Sequence, residues 1–252
     1  MARTRRSRKL QQTLSTIQQR WGPTAIRTAK ESAVVPDPPA LPTGFRTVDQ
    51  LLGIGGLPRG RITELIASGT AGQATLAAKT LAQAQRLGQQ VAWVDIAHMV
   101  DLDFLARCGV RFDALTILRP WDFAHALAMT GDLLRGGGIG ALVVDTVADL
   151  LPGEENALDI ALREWNPVLS RALCALIVLT EVSSADAYPS GLTLPFFASV
   201  RLQFQRRNWL YRRNRVVGFT SSVAVLKNRF GPSGRSALIQ VRYANGIQTG
   251  DD

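Results

Sequence analysis

Cysteine and histidine are scarce in this chain, with two of each in 252 residues. Cys108 and Cys174 sit in apolar surroundings without Cys-x-x-Cys spacing, which excludes a disulfide scaffold and predicts free thiols in a reducing cytosol. Neither cysteine joins His98 or His125 in a metal-like cluster, so no metalloenzyme is indicated. Long apolar runs are missing too: no window approaches the roughly 18 residues of a membrane span. The basic residues 1–9 lead into polar Gln11-Gln12-Thr13 and not into an apolar segment, so no signal peptide is expected. Lysine is rare as well, four against 25 arginines.

Charge and apolar content are what the chain does have. Hydrophobic residues make up 46%, enough for a sizeable core. The net charge of +9 and a pI near 10.5 point to a polyanionic partner, because basic side chains on phosphates release counterions. Apolar runs at 62–66, 91–95, 115–118, 141–145 and 173–180 alternate with helical patterns near 73–87, 101–108, 122–135 and 155–171. Strands buried on both faces and alternating with helices predict a parallel sheet. After residue 196 the pattern turns strand-rich, at 197–205, 208–219, 222–228 and 237–243, predicting an antiparallel extension. Upstream, residues 1–9 are expected to be a mobile basic tail. Leu10, Leu14, Ile17 and Trp21 fall on one face of a short amphipathic helix that needs a partner surface. A Pro-rich linker occupies 33–42. The expected division is 1–42 for tail, helix and linker, and 43–252 for the core domain.

The segment 64–76 lies between the first apolar run and the first helical pattern, where a phosphate-binding loop of the form G-x-x-x-x-G-K-[ST] would stand. Ala67 replaces the first glycine, Gln73 the lysine and Ala74 the hydroxyl that would bind Mg²⁺; Gly72 is kept. Gly69, Gly72, Gln73, Ala74 and Thr75 are therefore the residues of an altered nucleotide site, to which the resemblance below adds Asp145.

The flanks say which fold this loop belongs to. Thr43-Gly44-Phe45-Arg46-Thr47-Val48-Asp49 and Gly55-Gly56-Leu57-Pro58-Arg59-Gly60-Arg61-Ile62-Thr63-Glu64 resemble the entry to the RecA ATPase core. Leu142-Val143-Val144-Asp145 resembles its Walker B strand, and 197–202 and 226–232 resemble later signatures, so the likeness spans roughly 10–247. It implies an α/β RecA-like core, a mainly parallel sheet flanked by helices with antiparallel C-terminal strands. By the same resemblance Ala97 stands where the family has the glutamate that positions water, and Thr180-Glu181 where it has an Asn-Gln sensor. With lysine, Mg²⁺ ligand, base and sensor all altered, loss of ATP hydrolysis is expected: a pseudo-ATPase with no catalytic residues, no metal and no cofactor. Weak ATP or ADP binding at the helix after Gly72 stays open. For Asp145, satisfying backbone donors at a strand end is the alternative to a nucleotide role.

Two surfaces carry the remaining expectations. Lys227 and Arg229 match the pair by which RecA subunits reach a neighbour's nucleotide; an ordinary solvated strand face is the alternative. Arg201, Arg206, Arg207, Arg212, Arg213 and Arg215, interleaved with Trp209 and Tyr211, combine phosphate-binding forks with stacking rings, as single-strand binders do. An exposed hairpin with solvated charges is the bland reading. The basic residues Arg3, Arg5, Arg6, Arg8 and Lys9 are a second DNA candidate, while the loop at 182–193 has no basic residue and carries Asp186. Size and the run at 58–66 resemble the ImuA (SulA-like) RecA paralogues encoded beside translesion polymerases. The resemblance implies an adaptor in the SOS and DNA-damage response that binds RecA or RecA-like protomers, polymerase-cassette proteins and DNA non-specifically, in the cytoplasm on the nucleoid. A divergent DNA-dependent ATPase of recombination or branch migration, and a self-assembling scaffold, are the competing functions.

Overall fold

A computed structural model of the chain describes residues 2–22, 25–26, 37–147, 154–183, 188, 191–243 and 248–250. It divides into two units, Met1–Asp37 and Pro38–Asp252. The first holds one helix, α1 (Ala2–Trp21), so residues 2–9 extend the predicted helix in place of the expected tail. Leu10 and Trp21 are exposed on it and Leu14 and Ile17 half-buried. Residues 33–36 of the predicted linker lie outside the described residues, as does Asp186.

The second unit opens with β1 (Ala40–Leu41), α2 (Arg46–Leu52) and β2 (Leu57–Pro58), then alternates strands with helices. The elements are β3 (Ile62–Ala67), α3 (Gln73–Arg86), β4 (Gln90–Asp95), α4 (Leu102–Arg107), β5 (Leu115–Leu118), α5 (Phe123–Gly136), β6 (Ile139–Asp145), α6 (Glu155–Ala172) and β7 (Ala175–Glu181). A short helix, α7 (Leu194–Phe197), then leads into β8 (Val200–Arg212), β9 (Arg215–Asn228), β10 (Ser236–Arg242) and β11 (Gln248–Gly250). The large sheet runs in the order β11-β10-β9-β8-β3-β7-β6-β4-β5. From β8 to β5 neighbouring strands are parallel, and from β8 to β11 they are antiparallel. The predicted α/β fold, a mainly parallel sheet with an antiparallel C-terminal extension, is what the structure has.

Strand alternation divides the core in two, because successive side chains leave a strand on opposite faces. Leu65, Trp93, Val143, Ile177 and Leu179 join α3 and α4 on one face. Val94, Leu142, Leu176 and Val178 join α5 and α6, whose Phe123, Leu158, Leu162 and Trp165 cover the other. Both faces being covered is why these strands read as unbroken apolar runs.

One predicted boundary is wrong. The residues expected as a strand over 208–219 straddle a turn. β8 runs on to Arg212, and Arg213 and Asn214, at φ 48° and 60°, make a two-residue turn into β9, with Arg212 facing Arg215. Two consecutive positive φ values are the geometry that matches strand twist in tight hairpins. Asn214 was the available signal, since asparagine tolerates that region.

Candidate functional site

Parallel strands bring their carboxyl ends to one edge, and four of those ends meet where β3 turns into α3. Register pairs Ala67 with Glu181 and Asp95 with Asp145, so the turn and three carboxylates share that edge. Gly72, at φ 103°, caps α3, and its carbonyl accepts from Leu76 N–H at 3.0 Å. Gln73 folds back across the turn: Nε2 donates to the Gly69 carbonyl at 2.9 Å, and Oε1 accepts from Ala71 N–H at 3.1 Å. The amide thus ties the loop together by donating and accepting at once, which a lysine with no acceptor cannot do, and it occupies the Ala71 backbone donor.

That cavity, of about 520 Å³, is of ligand size. Gly69, Thr70, Gly72, Gln73, Ala74 and Thr75 form its floor, and Phe104, Phe219 and Tyr243 are aromatic walls suited to a planar ring. Arg107 supplies a cation and Glu181 an anion. Aromatic rings and the N-terminus of α3 line one cavity, the two kinds of surface that a base and a phosphate take.

The carboxylates behind the turn differ in their surroundings. Asp95 is buried and fully engaged: it accepts from Met99 N–H at 2.8 Å and from Val100 N–H at 3.3 Å, and it pairs with Arg119. Asp145 has no such set. Burial pushes its carboxyl up to about 6, and the charges of Asp95 and Glu181 push the same way. A folded-state value above the unfolded one means that the folded protein holds this proton more tightly. Stability therefore falls as pH rises from about 4 through 6 and is level above that. Asp145→Asn is expected to remove this part of the pH dependence and to gain about 2 kcal/mol at pH 7, checked by urea unfolding across pH 4–8.

Thr180 and Glu181 part company. Glu181 is exposed and lines the cavity, whereas Thr180 is buried and its hydroxyl donates to Glu64 Oε1 at 2.9 Å. Glu64, fully buried in mid-β3, is the residue that sequence reasoning missed. It also accepts from Tyr188 Oη at 2.6 Å and forms an ion pair with Arg201, its register partner on β8. Burial pushes the Tyr188 phenol up, and the Glu64 charge adds to this. Arg201 is therefore withdrawn from the set of candidate DNA ligands: it neutralises a core carboxylate. A charged residue inside an apolar strand run was the signal for both partners. Ala97 is exposed just past β4, and neither histidine is spare: His98 Nε2 lies 2.7 Å from the Pro120 carbonyl, and His125 pairs with Asp122. Among the described residues no group of three or more His, Cys, Asp or Glu is placed to hold a metal ion. No described helix is long and apolar enough to cross a membrane.

The remaining predicted residues fall in two places. Lys227 Nζ donates to the carbonyls of Pro195 and Phe196, and Arg229 donates to that of Phe196, so both hold the end of α7 beside the exposed Phe196 ring. Arg206, Arg207, Trp209, Tyr211, Arg212, Arg213 and Arg215 are all exposed on the β8–β9 hairpin. Arg206 lies over the Trp209 ring, 4.4 Å from its centroid.

Comparison with known proteins gives this arrangement a context. The RecA N-terminal domain matches residues 8–248. Protein RecA of Geobacter metallireducens is 31% identical over 264 aligned residues, 96% of this chain and 78% of that protein. Protein RecA of Brucella anthropi is 33% identical over 269, or 98% and 74%. In fold, the chain is similar to the crystal structure of the RadB recombinase, with a TM-score of 0.65 at 21% identity over 82% of this chain and 98% of the other. The RecA relatives overturn the expectation of a pseudo-ATPase without catalysis, which is not supported for a chain similar over nearly its whole length to proteins named RecA. The physical reason is that four side-chain changes do not dismantle the site. The turn, the start of α3 and the cavity are all in place, with Thr75, Arg107 and Glu181 still lining it.

Proposed function

Because the chain belongs to the RecA family through its RecA N-terminal domain, we propose that it acts in DNA recombination and repair as a RecA-like protomer. It takes a nucleoside triphosphate in the cavity at the β3–α3 turn and DNA on the β8–β9 hairpin. A RecA-like neighbour docks at Lys227 and Arg229 and along the Leu10, Leu14, Ile17 and Trp21 face of α1. Its role is that of an adaptor in damage tolerance, presenting these surfaces to RecA and to translesion-polymerase partners on the nucleoid, as its likeness to the ImuA paralogues suggests. The observation that carries the reading is the nucleotide-sized cavity built on the family's turn and walled by three aromatic rings.

Calorimetric titration with ATP and ADP, with and without Mg²⁺, is the direct test, and no heat of binding under any condition would sink the reading. Gln73→Lys is expected to tighten ATP binding about tenfold, since it frees Ala71 N–H and adds a cation. A pull-down with RecA and single-stranded DNA tests the adaptor role in parallel.

One observation favours a second reading, a DNA-dependent ATPase of recombination or branch migration. Glu181 lines the cavity, and Asp145, with its carboxyl near 6, lies within reach of its charge. A group that titrates near neutrality is suited to holding and releasing a proton. Turnover stimulated by single-stranded DNA and lost in Asp145→Ala would establish it.

A further inference from the structure

We infer that Arg107, reaching in from α4, is the cation that takes the phosphates of a nucleotide in the cavity, in place of the lysine that the loop lacks. The inference rests on the nucleotide reading of the cavity given above. Among the described residues that line the 520 Å³ space, Arg107 carries the positive charge and Glu181 the negative one. Lys79, further along α3, is not part of that lining. Arg206 lines a neighbouring space of about 310 Å³, and its Nη1 donates to the Thr70 carbonyl at 3.1 Å.

The position of Arg107 is fixed by the packing of its helix. Leu105 and Cys108 are buried in the core on the α3 side of the sheet. The Asp101 side chain caps α4 by accepting from Phe104 N–H at 3.1 Å. Phe104 and Arg107 are three residues apart, the spacing that sets two side chains on one helix face, and both line the cavity. Arg107 Nε donates to the Asp103 carbonyl at 3.3 Å, which ties the guanidinium to its own helix. Its two Nη groups make no hydrogen bond and no ion pair among the described residues.

A second group points to the same ligand. Thr75 lines the cavity at 5% exposure, and its hydroxyl makes no hydrogen bond among the described residues. Thr80, further along α3, satisfies its hydroxyl on the Leu76 carbonyl at 2.8 Å, and Thr75 does not turn back on the helix in this way. A buried hydroxyl without a partner is costly, and a phosphate oxygen would satisfy it. The loop cannot supply the missing charge, because the Gln73 amide is engaged with Gly69 and Ala71. It offers phosphates the free backbone N–H groups at the start of α3 and nothing more. Glu181 repels them. A guanidinium gives two parallel donors to one phosphate and stays charged at any working pH. A triphosphate beside Glu181 needs that charge, whereas an unphosphorylated nucleoside does not.

Calorimetric titration of the full chain with ATP and, at high protein concentration, with adenosine tests this. Arg107→Gln is expected to raise the Kd for ATP at least about tenfold and to leave that for adenosine within about twofold. Arg107 is exposed and bonded to its own helix, so the variant should keep the Tm of the unaltered chain. Arg107→Lys should recover part of the loss, since it keeps a charge but not the fork. Gln73→Lys placed in the Arg107→Gln chain should restore ATP affinity, because the loop then carries the cation itself. An equal loss for both ligands, no loss for ATP, or a loss that appears in Arg206→Gln and not in Arg107→Gln would overturn the proposal. If the unaltered chain binds adenosine and not ATP, the phosphate assignment fails while the aromatic part of the site stands. If it binds neither, the nucleotide reading fails with it.

Discussion

Arg201→Ala is expected to cost about 3–5 kcal/mol, because it strands a carboxylate in the core. Glu64 has no exposed surface, and its other partners, the hydroxyls of Thr180 and Tyr188, donate hydrogen bonds without supplying positive charge. For a chain of this size each kcal/mol moves Tm by roughly 2–4 °C, so thermal unfolding should come about 10 °C lower. The combined change Glu64→Gln with Arg201→Met separates charge from packing. With no buried carboxylate left to neutralise, most of the lost stability should return, since ion pairs in a core often do no better than well-packed neutral groups. If the double variant is as unstable as Arg201→Ala, packing by the arginine stem and not its charge is what matters. Tyr188 extends the network: it donates to Glu64 from beyond β7, and Arg201 lies 4.8 Å from its ring centroid.

Gly218→Ala is expected to be almost as severe, about 3 kcal/mol or more, and to damage the cavity as well. Gly218 sits on β9 opposite Arg242 of β10, where an added Cβ would fall on the Val241 carbonyl oxygen and press on the Arg242 backbone. A backbone oxygen in a strand ladder cannot step aside as a flexible side chain can. The strands would have to separate there, and the residues beside the contact, Phe219 and Tyr243, are two of the cavity's aromatic walls. Loss of Tm together with a weakened ATP titration is the expected pair of results. Full ATP affinity in a destabilised variant would show that the walls do not depend on this contact.

The overall plan was legible because it follows from local rules. Apolar runs of strand length between helical patterns can only be covered on two faces, and the RecA-like signatures at 43–64 and 142–145 placed the turn and Asp145 correctly. The basic, aromatic character of the hairpin was legible as well, though its turn falls on Arg213 and Asn214 with no glycine in it, and only Asn214 hinted at it. What escaped were relations between strands distant in sequence. Glu64 and Arg201 are 137 positions apart and meet because β8 lies beside β3. Arg206 and Thr70 are 136 apart and meet at the end of the same pair of strands.

The loop at the head of α3 shows where the division lies. From the sequence alone it follows that Gln73 and Ala74 bring neither a cation nor a metal-binding hydroxyl to that turn, since residue chemistry does not depend on the fold. The sequence also determines that the chain is basic, apolar enough for a large core, and built on alternating strands and helices. Whether the altered turn still encloses a site was decided only in three dimensions. Parallel register set Glu181 and Asp145 behind it, the α4 and β9–β10 rings closed it, and Arg206 bound it to the hairpin. Backbone geometry and long-range packing hold a cavity open whether or not each side chain of a motif is kept.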